Sequence, residues 1–233
     1  MNLLLSLLAD ANMVAPVSAG VTAAPVAELN MWDLSLKGGI IMIPLLILSI
    51  LAIYIFIERA VVIRKAARED HTFMDRIKDY IHEGDVDAAL NLCRKTDTPY
   101  ARLIEKGITR LGRPMNDVLV AIENVGNLEV AKLEKGFPWL ATAAAGAPMI
   151  GFLGTVTGMV RAFYNMASAG TSADISTLSG GIYEALVTTV AGLVVGIIAL
   201  FAYNYLVARV DGVVNQLEAK TMEFMDLLNE PAD

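Results

Sequence analysis

Three segments of this chain are apolar over lengths that can cross a bilayer, and no other feature limits the fold so sharply. They cover about residues 39–57, 137–160 and 180–206. Glu58-Arg59 closes the first and Arg161 the second. Hydrophobic residues make up 55% of the chain and charged residues 18%, a more apolar balance than soluble domains carry. No strand pattern and no domain-size repeat is visible. The expected fold class is all-α: a polytopic membrane protein with three transmembrane helices.

Residues 58–136 form a polar insertion between the first two spans. It holds 14 of the 18 basic residues and 14 acidic ones, so its net charge says nothing about sidedness. Orientation is read instead from Lys and Arg beside the spans. Arg59, Arg64, Lys65, Arg68, Lys132, Lys135 and Arg209 flank one side, and Lys37 and Arg161 the other. This places 58–136 and 207–233 in the cytoplasm, with 1–38 and 161–179 outside. Asn2–Ala9 is apolar but has no Lys or Arg before it, unlike a secretory signal. It is read as part of a retained interfacial segment.

The insertion reads as helical. Phe73, Met74, Ile77, Tyr80 and Ile81 recur at helical spacing over 72–82. Glu83-Gly84-Asp85 is a stop followed by an N-cap for 86–94. Thr98-Pro99 opens a further helix that Gly112 ends. From Pro114 the apolar pattern does not clearly stop before the second span. One helix of about 70–80 Å is therefore expected from there into the membrane. The third span should likewise run on through Val213, Leu217, Met222, Met225 and Leu228. The polar helices are too few for a large core of their own, so they should pack on these extensions.

Glu184 stands inside the third span. A carboxylate at such a position costs about 3 kcal/mol on insertion scales and normally faces a bundle interior or a wet cavity. Gly180, Glu184, Thr188, Gly192 and Gly196 recur every four residues and form one stripe. The second span carries Gly146, Gly151, Gly154 and Gly158, with Thr142, Thr155 and Thr157. Small residues at this spacing allow close helix approach. Packing explains the glycines, and threonines can bond their own backbone. Packing does not require Glu184. The first span is large and apolar all round, as suits a lipid-facing helix. Two inner helices cannot enclose a pore, whereas a symmetric ring of copies can.

The run Ala147-Pro148-Met149-Ile150-Gly151-Phe152-Leu153-Gly154-Thr155-Val156-Thr157-Gly158-Met159 resembles the second-span motif of the MotA/TolQ/ExbB proton-channel family. Gly181-Ile182-Tyr183-Glu184-Ala185-Leu186-Val187-Thr188-Thr189-Val190-Ala191-Gly192-Leu193 is similar to its third-span motif, and Tyr203-Asn204 also fits. The resemblance covers almost the whole chain apart from 1–35. It implies a bacterial inner-membrane motor subunit: a ring of five copies around an ExbD-like single-span partner that carries the proton-binding aspartate. It implies that proton flow energises a TonB-like protein in ExbB relatives, or envelope constriction in TolQ relatives. By motif position it implies a pore lined by Thr155, Thr189 and Glu184. Thr188 stands where some relatives have a small apolar residue. Three spans favour the ExbB/TolQ branch over MotA, and ExbB is preferred.

Other classes fit less well. A non-conducting scaffold would suit the glycine stripes but leaves Glu184 without purpose. An intramembrane enzyme needs a nucleophile with a base, or a metal cluster, and no span holds His, Cys or paired Asp. A secondary transporter would show internal repeats. No cofactor or metal is expected, because His71 and His82 read as surface residues and are too few to bind one. The net charge of −7 and the lack of a basic stripe argue against nucleic acid. Cys93, the single cysteine, reads as a small core residue.

Overall fold

The computed structural model describes residues 39–68, 70–170 and 175–229. The expected interfacial segment 1–38 lies outside them. Among the described residues seven helices follow in order: α1 Met42–Ala66, α2 His71–His82, α3 Val86–Lys95, α4 Pro99–Ile108, α5 Met115–Leu133, α6 Phe137–Ala169 and α7 Ile175–Asn229. Three of them, α1, α6 and α7, are long and apolar enough to cross a membrane.

The polar helices start where their side chains can satisfy free backbone amides. Asp70 accepts from the Thr72 amide at the head of α2, and Asp85 from the Ala88 amide at the head of α3. Gly84 between them takes a φ of 73°, the left-handed geometry that glycine adopts most readily. Pro99 opens α4 in the first turn, where its missing amide is no loss.

The helix expected to run unbroken from Pro114 into the second span is divided. α5 ends at Leu133 and α6 begins at Phe137. Gly136 sits between them at a φ of 95°. A left-handed glycine ends one helix, and Pro138 in the first turn starts the next. The expected outer loop 161–179 is also shorter. α6 continues past Val160 to Ala169, and α7 is already helical from Ile175. Only at Gly170 does a left-handed glycine stop α6.

α7 is one helix of 55 residues, about 82 Å long. Beyond its apolar part it carries the polar helices. Phe224 is fully buried there, against Gly107 of α4. Ile77, Ile104, Ile122, Val210 and Val213 belong to the same core. Burial of a side chain such as Phe224 contributes about 1.5–3 kcal/mol.

A chain of charges fastens α1 to this body. Lys65 pairs with Asp97 at 2.8 Å, and Arg102 bridges Asp97 and Glu129 at 2.8 Å each. Lys132 closes on Glu129 at 2.6 Å, and Arg59 donates to the Lys132 carbonyl at 3.0 Å. Glu129 is 4% exposed. Burial pushes its carboxyl up, but the hydrogen bonds and charges of Arg102 and Lys132 prevail and hold it below the usual carboxylate value.

In the apolar half, α1 buries Leu45, Ala52 and Ile55 and leaves Ile43, Leu46, Ile47, Ile50 and Ile53 exposed. α6 and α7 make the closest contact, through their small residues. Arg64 and Arg209 line one pocket of about 120 Å³ between α7 and the C-terminal end of α1. Glu184 lies about 38 Å back along α7 from Arg209, near the start of that helix.

Candidate functional site in the α6–α7 interface

Gly151 and Gly192 set the spacing of the site. A Cβ built on Gly151 would stand 2.9 Å from the Thr188 carbonyl oxygen and 3.1 Å from the Gly192 Cα. One built on Gly192 would stand 2.9 Å from the Gly151 Cα. The two backbones therefore touch. Gly196 meets the Pro148 ring, Gly158 meets Ala185, and Gly154 meets the Thr188 side chain. Five of the seven glycines in the two stripes lie in this contact, whereas a Cβ on Gly146 or Gly180 would meet nothing within 4 Å.

Close approach brings three hydroxyls together. Thr189 donates across the interface to the Gly151 carbonyl at 3.0 Å. Thr188, fully buried, donates to Ala185 on its own helix at 2.7 Å and lies 3.5 Å from the Gly151 carbonyl. Thr155 donates to Phe152 at 2.6 Å. The Thr155 and Thr189 oxygens are 3.4 Å apart. Each hydroxyl has one proton, and here each proton is directed at a carbonyl. Passing a proton between Thr155 and Thr189 requires one hydroxyl to rotate about its C–O bond. Their separation permits that without moving either helix.

Glu184 is half-buried one turn before Thr188. It faces a narrow pocket of about 30 Å³. Gly154, Thr157, Gly158 and Arg161 form the α6 wall, Glu184 and Thr188 the α7 wall, and Ile40 and Ile41 the third side. The volume is that of one water molecule, and the walls supply the polar partners a water needs. Thr157 donates its hydroxyl to Leu153 at 2.8 Å, and its oxygen can still accept a hydrogen bond.

The structure thus gathers Glu184, Thr188, Thr189 and Thr155 along one seam. It also adds residues that the sequence did not assign to it. Arg161 reads in sequence only as a boundary charge. Its signal is the spacing Gly154, Thr157, Gly158, Arg161, which puts all four on one helical face. Gly39 packs its backbone against the Glu184 carboxylate. That contact joins distant parts of the chain and leaves no periodic trace.

The chemistry available is that of a carboxylate able to take up a proton, beside hydroxyls able to donate and accept, inside an apolar span. Known proteins resemble this chain over most of its length. The profile described as the MotA/TolQ/ExbB proton channel family matches residues 95–219. A biopolymer transport protein designated ExbB-like 1 from Synechocystis sp. is 35% identical over 199 residues, 84% of this chain and 76% of its own. The Tol-Pal system protein TolQ of Haemophilus influenzae is 30% identical over 221 residues, 88% of this chain and 96% of its own. The biopolymer transport protein ExbB of Neisseria meningitidis is 30% identical over 176 residues, covering 70% and 78%.

Proposed function

Because this chain belongs to the MotA/TolQ/ExbB proton channel family, we propose that it is the ring-forming subunit of an ion-driven motor in the bacterial inner membrane. In this reading five copies surround an ExbD-like single-span partner, and proton passage energises a TonB-like protein for outer-membrane transport. The observation that carries it is the seam Glu184–Thr188–Thr189–Thr155 on two closely packed spans. A lone chain leaves much of that region exposed, including Leu186, Val190 and Leu193 beside it. A ring of copies would cover such surfaces, and its axis would hold one Glu184 per subunit.

The cation-rich end, with Arg64 and Arg209, is cytoplasmic in this reading, and the Glu184 end faces outward. The exposed apolar face of α1 meets lipid. The partner supplies a carboxylate on the moving part. A proton crossing the membrane releases about 2.3 kcal/mol per 100 mV, which does work only where binding and movement are coupled.

The test is proton uptake into liposomes that hold the complete complex under an imposed potential. Flux should fall sharply on Glu184→Ala and recover in part with Asp at the same position. Full flux in the Ala variant would refute the assignment.

TolQ-like work on envelope integrity is the second reading. The TolQ relative matches nearly end to end, over 96% of its length, against 78% for the meningococcal ExbB. Expression in cells lacking one system or the other separates the two. Rescue of iron-complex uptake supports the first reading, and rescue of detergent resistance the second.

A further inference from the structure

We infer that Gly39, in the turn ahead of the first span, is a positioning residue for the Glu184 carboxylate. This inference rests on the reading of Glu184 as part of the ion path. It draws α1, otherwise the outer helix, into that path.

Two separate features of Gly39 meet here. Its φ is 64°, in the left-handed region. Its open Cα side is also the surface against which Glu184 lies, since an added Cβ would collide with the Glu184 Oε1. Asn and Asp enter the left-handed region with little strain, so backbone geometry alone does not demand glycine. What glycine adds is room for the carboxylate, which any Cβ would displace.

The turn continues into Ile40 and Ile41, which wall the same water-sized pocket that Glu184 shares with Thr188 and Arg161. Glu184 thus meets the turn and also lines this pocket. Any side chain at position 39 must push it away by about 1 Å or more to restore ordinary contact. Displacement on that scale is enough to disrupt a transfer that depends on hydrogen-bond reach.

The experiment compares Gly39→Asn, Glu184→Asp and the double variant in the complete reconstituted complex. Asn tolerates the backbone angle but brings a Cβ. Asp keeps the charge and withdraws it by one methylene. Two quantities are read: proton flux, and the rate at which dicyclohexylcarbodiimide modifies residue 184, measured on its peptide by mass spectrometry. G39N should lower flux by at least about tenfold and speed modification of the displaced carboxylate. In the E184D background, G39N should change neither quantity by more than about twofold, within the additivity expected of uncoupled sites.

Equal effects of G39N in both backgrounds would overturn the inference, because the turn would then matter for itself. So would the absence of any effect of G39N. If G39N prevents assembly, recovery of assembled complex on adding E184D supports the inference and failure to recover overturns it. Unchanged flux in E184A defeats the ion-path reading instead, and the labelling cycle still reports on the contact.

Discussion

The Thr189 hydroxyl crosses from α7 to the Gly151 carbonyl of α6 at 3.0 Å, and it can do so because Gly151 and Gly192 bring the two backbones into contact. The bond and the close approach depend on each other. Thr155 differs: its hydroxyl bonds its own helix, at Phe152. The two threonines thus hold unequal places in the seam although they are 3.4 Å apart.

Thr189→Val should therefore cost more than Thr155→Val. Losing the interhelical bond should lower stability by about 1 kcal/mol, whereas the Thr155 change removes only a local bond. Proton flux should fall by at least about tenfold for T189V if the hydroxyl relays protons. Melting temperatures of the purified complex and flux in liposomes check the two effects separately. Equal stability loss with equal flux in both variants would contradict the asymmetry.

Gly192→Ala tests the approach itself. Its Cβ would stand 2.9 Å from the Gly151 Cα and 2.5 Å from the Ala147 carbonyl oxygen, both backbone atoms that cannot swing aside. The helices must separate, at a cost of about 1–3 kcal/mol. The separation lengthens the Thr189–Gly151 bond, so G192A and T189V should be less than additive in thermal stability. Strict additivity would mean that the bond does not depend on the glycine contact.

Much of the fold was legible in the sequence because it is written in periodicity and caps. Gly84 and Asp85 mark helix ends by chemistry that acts over three or four residues. The length of α7 follows from an apolar pattern that no breaker interrupts. The division at Gly136 was missed because that pattern continues smoothly across it. Gly136 followed by Pro138 was the opposing signal, and backbone geometry outweighed the periodicity. Glu184 and the threonines stood out as polar groups in an apolar run. Gly39 did not, since its role comes from a contact with a residue far away in the chain. Arg161 was hidden by being read as the end of a span rather than as a member of a helical face.

The polar helices should loosen in acid, and Glu129 supplies the reason. Its carboxyl is held below the ordinary value of about 4.3 by Arg102 and Lys132. Exposed Asp97 is shifted the same way by the hydrogen bonds of Lys65 and then Arg102. A carboxyl whose folded value is depressed stabilises the fold above its unfolded value, and loses that contribution as pH falls through the folded value. Glu129→Gln should cost about 1–3 kcal/mol at neutral pH. The deficit should shrink as pH falls below about 4, where the unfolded chain takes up the proton first, and vanish once pH passes below the depressed folded value. Hydrogen exchange of α4 and α5 amides across pH measures this. A deficit that does not change with pH would assign the loss to packing.

Orientation is best tested away from Cys93. That thiol is 2% exposed. Burial, with the nearby Glu105 charge adding to it, pushes the thiol up to about 12, so almost no thiolate exists near neutral pH. Native protein should react slowly with maleimides whether or not they cross membranes, and unfolding should release the reactivity. A Cys93→Ala chain with Glu218→Cys moves the probe to an exposed position on the α7 extension. The proposed topology puts residue 218 in the cytoplasm. A permeant maleimide should then label it in intact cells. An impermeant one should label it only after the inner membrane is opened. Labelling by the impermeant reagent once the outer membrane alone is permeable would reverse the topology. It would place Glu184 at the cytoplasmic end of the path.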